Sequence, residues 1–120
     1  MSVQSYRELI VWQKAIDLVV AIYRITQSFP REEAFGLTSQ MRRAAVSIPS
    51  NIAEGQGRRS AKEFQRFLDI ARGSLQEVET QLLIANRLHY LDDSQQHTLL
   101  LQNTEVARLL DGLWRSMEHH

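Results

Sequence analysis

The sequence predicts an all-α protein, an antiparallel up-down-up-down four-helix bundle with a left-handed twist, and three observations carry that prediction. Ala, Leu, Glu, Gln, Arg, Lys and Met make up 62 of the 120 residues, and Gly with Pro only 7. The first set loses little side-chain freedom in a helix, and the second interrupts one. Helix start and stop signals cut the chain into four segments. Within three of those segments apolar residues recur at alternating steps of three and four, the spacing of a left-handed bundle seam.

Ser5 followed by Glu8 reads as a capping box, so a first helix is expected from there to the Ser28-Phe29-Pro30 stop. A second opens between Pro30 and Gly36 and stops at Gly55-Gln56-Gly57, where glycine accepts the left-handed conformation that ends helices. Pro49 lies inside it and predicts a local bend or an earlier end. Ser60 with Glu63 caps a third helix that continues to about Tyr90, and Asp92 with Gln95 caps a fourth that continues to about Met117. Seams run through Met41, Ala45, Ile48 and Ile52, then through Phe64, Leu68, Ala71, Leu75, Val78, Leu82, Ala85 and His89. The last runs through Leu99, Asn103, Val106, Leu110, Leu113 and Met117. Short connections favour antiparallel neighbours. No repeat or linker divides the chain, so residues 1–118 form one domain. Glu118-His119-His120 reads as the start of an affinity tag, and residues 119–120 are kept out of any site.

The first helix carries two apolar stripes. Leu9, Trp12, Ile16, Val19 and Tyr23 form one, and Val11, Ala15, Leu18, Ile22, Ile25 and Phe29 the other. Together they cover about 200° of the helix, where a surface helix needs little more than ~100°. The surplus predicts self-association, with the Val11 to Phe29 stripe as the subunit interface. Leu83, Ile84, Tyr90 and Leu91, off the seam of the third helix, point the same way.

Composition excludes several classes. Without cysteine there is no disulfide framework and no thiolate site. No apolar run reaches the ~20 residues that span a bilayer, and the polar start lacks a signal peptide's apolar stretch, so a cytoplasmic protein without membrane contact is expected. No Glu is followed three residues later by His, as a di-iron bundle would need; His89 and His97 lack a third ligand; Gly55-x-Gly57 lacks a preceding strand. No catalytic residue, metal or cofactor is expected, and the chain is read as no enzyme.

The net charge is zero, but residues 1–72 carry 11 basic and 7 acidic side chains and residues 73–120 carry 3 and 7, and 12 of the 14 basic residues are Arg. Arg42, Arg43, Arg58, Arg59, Lys62, Arg66 and Arg72 concentrate in residues 40–72 against 3 acidic side chains. Arg forks onto phosphate, and free amides at a helix start favour anions, so this zone is the candidate nucleic-acid site. Opposite the second helix's seam runs a polar stripe, Gln40, Arg43, Ser47, Asn51 and Glu54, that could receive a neighbouring subunit or a nucleic-acid backbone, or simply face solvent.

The run FGLTSQMRRAAVSIPSNIAEGQGR, with Tyr6-Arg7-Glu8-Leu9-Ile10-Val11-Trp12-Gln13-Lys14-Ala15 and Glu63-Phe64-Gln65-Arg66-Phe67-Leu68, closely resembles the four-helix bundle proteins encoded in intervening sequences of bacterial 23S ribosomal RNA, often labelled S23 ribosomal proteins. The resemblance extends from Tyr6 to the middle of the fourth helix. It implies an up-down bundle, assembly into a ring of five, and a role in binding nucleic acid. A related branch, accessory proteins of diversity-generating retroelements, associates with a reverse transcriptase and nucleic acid and is more basic than this chain. The expectation is therefore a homo-oligomer that binds RNA or single strands by backbone contact. The alternative is an adaptor whose acidic C-terminal half meets a basic protein partner.

Overall fold

The computed structural model describes residues 5–118. The expected tag residues 119–120 and residues 1–4 lie outside them. Four helices dominate: α1 (Ile10–Thr26), α2 (Leu37–Gln56), α3 (Ala61–Arg87) and α4 (Asp93–Ser116), with single 3-10 turns at Tyr6–Glu8 and Arg31–Glu33 and no strand among the described residues. Consecutive helices are neighbours, α1 also lies beside α4, and the backbones of the diagonal pairs stay apart. Along α3 and α4 the contacts pair Gln65 with Trp114, Arg72 with Asp111 and Leu75 with Asn103, so these two helices run in opposite directions. The body measures 47 × 24 × 20 Å.

The seams of α2, α3 and α4 form the core. Met41, Ala45, Ile48 and Ile52 of α2 are fully buried, as are Leu68, Ala71, Val78, Leu82 and Ala85 of α3, and Leu99, Val106 and Leu110 of α4 join them. Asn103 sits in the same seam at 5% exposure, its amide donating to the Leu75 carbonyl at 3.0 Å. His89, the last expected seam residue, is instead exposed beyond the end of α3, at φ 62°. There the Tyr90 amide reaches the Ala85 carbonyl and the His89 amide the Asn86 carbonyl, the paired closure of a Schellman motif with histidine where glycine is usual.

The local signals hold to different degrees. Asp92 and Gln95 cap α4 reciprocally, and Ser60 caps α3 through the Glu63 amide. Ser5 starts only one 3-10 turn, because its hydroxyl accepts from Arg7 and Leu9 then adopts an extended conformation; α1 begins after that break. α2 continues through Pro49, which does not end it. Gly57 closes α2 with right-handed backbone, φ −79°, so the expected left-handed glycine stop is absent. No side chain at Gly36 caps α2. Glu33 does so from four residues upstream, accepting from the Leu37 amide at 3.0 Å while its other oxygen accepts from the Tyr90 hydroxyl at 2.8 Å. A Cβ at Gly36 would lie 2.8 Å from that capping oxygen. The Leu37 amide and then the Tyr90 hydroxyl hold the Glu33 carboxyl below its ordinary value, and the bond to Glu33 followed by burial pushes the Tyr90 phenol up. One carboxylate thus ties the α1–α2 connection to the α3–α4 connection at one end of the bundle.

The assignment of the two α1 stripes is reversed. Val11, Ala15, Leu18, Ile22 and Phe29 are buried in the chain's own core, with Ile25 packed against it, so this stripe has no area left for a second subunit. Freeing even Leu18 and Ile22 would cost roughly 1.5–3 kcal/mol each. Trp12, Ile16 and Val19 are half-buried on the flank, and Val20 and Tyr23 are exposed beside them. A helix wheel locates two stripes but cannot tell which one the other three helices take.

Candidate nucleic-acid interface

The corner between α2 and α3 is built on a close approach. A Cβ at Gly55 would stand 2.7 Å from the Phe67 Cβ and 2.9 Å from the Phe64 Cδ1, closer than real side-chain atoms come. Only glycine lets the end of α2 seat on the first turns of α3. Phe67, buried there, carries the Arg58 guanidinium at 4.7 Å and the Arg66 guanidinium at 4.6 Å from its ring centre. The positive charges are held on the ring's electron-rich face. Each guanidinium also has a local carboxylate: Arg58 meets Glu54 at 3.4 Å, and Arg66 meets both oxygens of Glu63 at 3.2 Å. The hydrogen bond from Arg66 holds the Glu63 carboxyl below its ordinary value, and the same bond pushes Arg66 up. Arg59 and Lys62, exposed in the same corner, have no partner among the described residues.

The other three candidates stand elsewhere. Arg42 is half-buried and is spent on α1: its Nε donates to Thr26 Oγ1 at 2.9 Å, its Nη2 to the Tyr23 carbonyl, and it stacks on the Tyr23 ring at 4.6 Å. It supports the C-terminal end of that helix, where a cation is favoured. Arg72 pairs with Asp111 at 3.1 Å on the α4 side. Arg43 is exposed and unpaired, but it lies about 22 Å along α2 from Arg58 at 1.5 Å per residue. The seven cations therefore do not form one surface. Four converge on the α2–α3 corner, and Arg42, Arg43 and Arg72 do not.

The polar stripe is divided as well. Ser47 and Ser74 are hydrogen-bonded through their hydroxyls, and Asn51 donates to the Ser47 carbonyl, so the middle of the stripe is half-buried against α3. Gln40, Arg43 and Glu54 are exposed at its ends. The stripe is the flank that α2 turns toward α3, and its short side chains let α3 approach rather than an outside surface. The seam spacing does not mark Phe67, which sits one residue before the seam position Leu68; two arginines close to one aromatic are the signal the sequence carries for it. No group of three metal-ligating side chains converges among the described residues.

A family model described as 23S rRNA-intervening sequence protein matches residues 7–112. The chain belongs to that family. It is similar in structure to a crystallised protein of unknown function from the S23 ribosomal protein family of Bacteroides thetaiotaomicron VPI-5482. The TM-score is 0.79 at 26% identity, over 88% of this chain and 98% of that one. Among curated proteins no relative matches. The family resemblance read from the sequence and the four-helix architecture are both supported by these matches. No helix among the described residues is long and apolar enough to cross a membrane.

Proposed function

We propose that this member of the intervening-sequence family is a non-enzymatic, self-associating helical bundle of the cytoplasm that binds RNA by its phosphate backbone at the α2–α3 corner. The observation that carries this reading is the pair of unpartnered cations, Arg59 and Lys62, beside Arg58 and Arg66 held on Phe67. Two of the four charges are free for phosphate, and the other two stand beside them on Phe67, each paired with a carboxylate that phosphate can replace. Repetition of the corner around an oligomer, a ring of five in the family resemblance, multiplies a modest site.

The test is fluorescence anisotropy of the protein with labelled single-stranded RNA across a salt series. The expected result is a linear fall of log affinity with log salt, and a slope flattened by about 1 to 2 in the Arg59→Glu/Lys62→Glu variant. An unchanged slope overturns the corner as the site. The adaptor alternative has less support. In the acidic half Asp92 caps α4, Asp93 accepts from Asn86, Glu105 pairs with Lys14, Asp111 with Arg72, and Glu118 accepts from Gln65. Only Glu77 and Glu79 there lack a partner among the described residues, too few to attract a basic protein strongly.

A further inference from the structure

Phe35 is 99% exposed at the tip of the connection between α1 and α2. An isolated exposed apolar side chain needs no explanation, but this one is held out on a rigid support. Two residues away Glu33 is fixed by its bonds to the Leu37 amide and the Tyr90 hydroxyl, and Phe29 packs its ring on Tyr90 at 5.4 Å. The knob is therefore pre-organised, and ordering it on binding costs little. The same contacts place it at the end of the bundle where α3 meets α4.

At that end, on the α3–α4 side, lies a notch of about 420 Å³ lined by Thr80, Leu83, Ile84, Asn86, Arg87 and Gln96. Leu83 and Ile84 are exposed, and Leu88 extends the apolar surface beside them. The notch holds no carboxylate, and Arg87 has no partner among the described residues. The knob offers one carboxylate to it: Glu32 is exposed and unpaired, as is Arg31, which lies one residue further from Phe35. Knob and notch thus match in apolar character, with Glu32 available to Arg87, and lie at one end of the bundle, the knob on the α1–α2 connection and the notch between α3 and α4. At 99% exposure Phe35 does not enter the notch of its own chain.

We infer that Phe35 of one copy seats between Leu83 and Ile84 of a second copy, with Glu32 opposite Arg87. The contact presupposes the self-association proposed above and names its surfaces. Because knob and notch are different patches, the association is head-to-tail, and every added copy leaves one of each unused until a ring closes. A phenyl ring buries about 150–250 Å², far less than the ~1,200 Å² of a stable interface. Phe35 is the anchor of a wider contact that includes the exposed Val20, Tyr23 and Val46 on the knob side.

The test is the mass of the full chain in solution, by light scattering on gel filtration, for wild type, Phe35→Ala, Ile84→Asp and an equimolar mixture of the two variants. Both substitutions are at exposed positions, and helical content and melting check that each folds. Wild type is expected as an oligomer and each variant as a monomer at the same concentration, since losing an aromatic anchor weakens association about 30-fold or more. The mixture is expected to form a one-to-one dimer, because one variant keeps its knob and the other its notch. A variant that assembles like wild type, or a mixture that stays monomeric, overturns the knob-and-notch contact and leaves self-association standing. A monomeric wild type overturns both.

Discussion

The two ends of the bundle solve opposite problems. At the α2–α3 end the exposed groups are charged, and the chain supplies partners for half of them: Arg58 and Arg66 have an aromatic face and a carboxylate each. At the other end a single carboxylate, Glu33, joins the two connections, and beside exposed charges such as Glu32 and Arg87 large apolar side chains remain uncovered, Phe35 above all, with Leu83, Ile84 and Leu88. Unpaired charge can rest in water, whereas a rigid, fully exposed phenyl ring gains by leaving it. On the readings proposed above, the first end meets a polyanion and the second another copy of the chain.

Substitutions that disturb each end separately sharpen this division. The largest effect is expected at the glycine of the charged end. Gly55→Ala brings a methyl group to 2.7 Å from the Phe67 Cβ, which must push α3 off α2. A loss of about 1–3 kcal/mol in urea unfolding is expected, together with weaker RNA binding, as Arg58 and Arg66 lose their platform. A smaller change of opposite sign is expected at the apolar end. His89→Gly relieves a left-handed residue, φ 62°, and should raise stability by about 0.5–1 kcal/mol in the same measurement, without touching the corner.

The subtlest effect depends on pH. The folded Glu33 carboxyl titrates below its ordinary value, so its contribution is complete at neutral pH and disappears as pH falls through the folded value. The Tyr90 phenol titrates above its ordinary value, so the same bond is lost again as pH rises past the tyrosine range. Glu33→Gln should therefore melt below wild type at pH 7, and the two melting curves should converge in acid, below the ordinary carboxylate range. A difference that persists in acid would show that the tie does not depend on the charge of Glu33.

The seams and two of the caps were legible in the sequence because each depends on residues three or four positions apart. Met41, Ala45, Ile48 and Ile52 lie where the spacing puts them, and Asp92 with Gln95 makes both bonds of its box. What was not legible depends on partners far along the chain. Glu33 meets Tyr90 across 57 residues, and nothing local marks Glu33 as the cap of α2. The same reason explains the reversed stripes of α1 and the scattered cations. Arg42 and Arg72 read as part of one basic zone, but the bundle turns the first onto α1 and the second onto α4.

In the proposed RNA complex the carboxylates at the α2–α3 corner would be exchanged for phosphate. A phosphate that takes Arg66 must displace Glu63, whose carboxyl is held low by that guanidinium and would titrate higher once released. On the proposed reading, RNA binding takes up a proton at Glu63 only where the pH lies between its lowered value and the ordinary carboxylate range. RNA affinity should rise as pH falls into that acid window, in a step that Glu63→Gln removes, and calorimetry in buffers of different ionisation heat would count the protons.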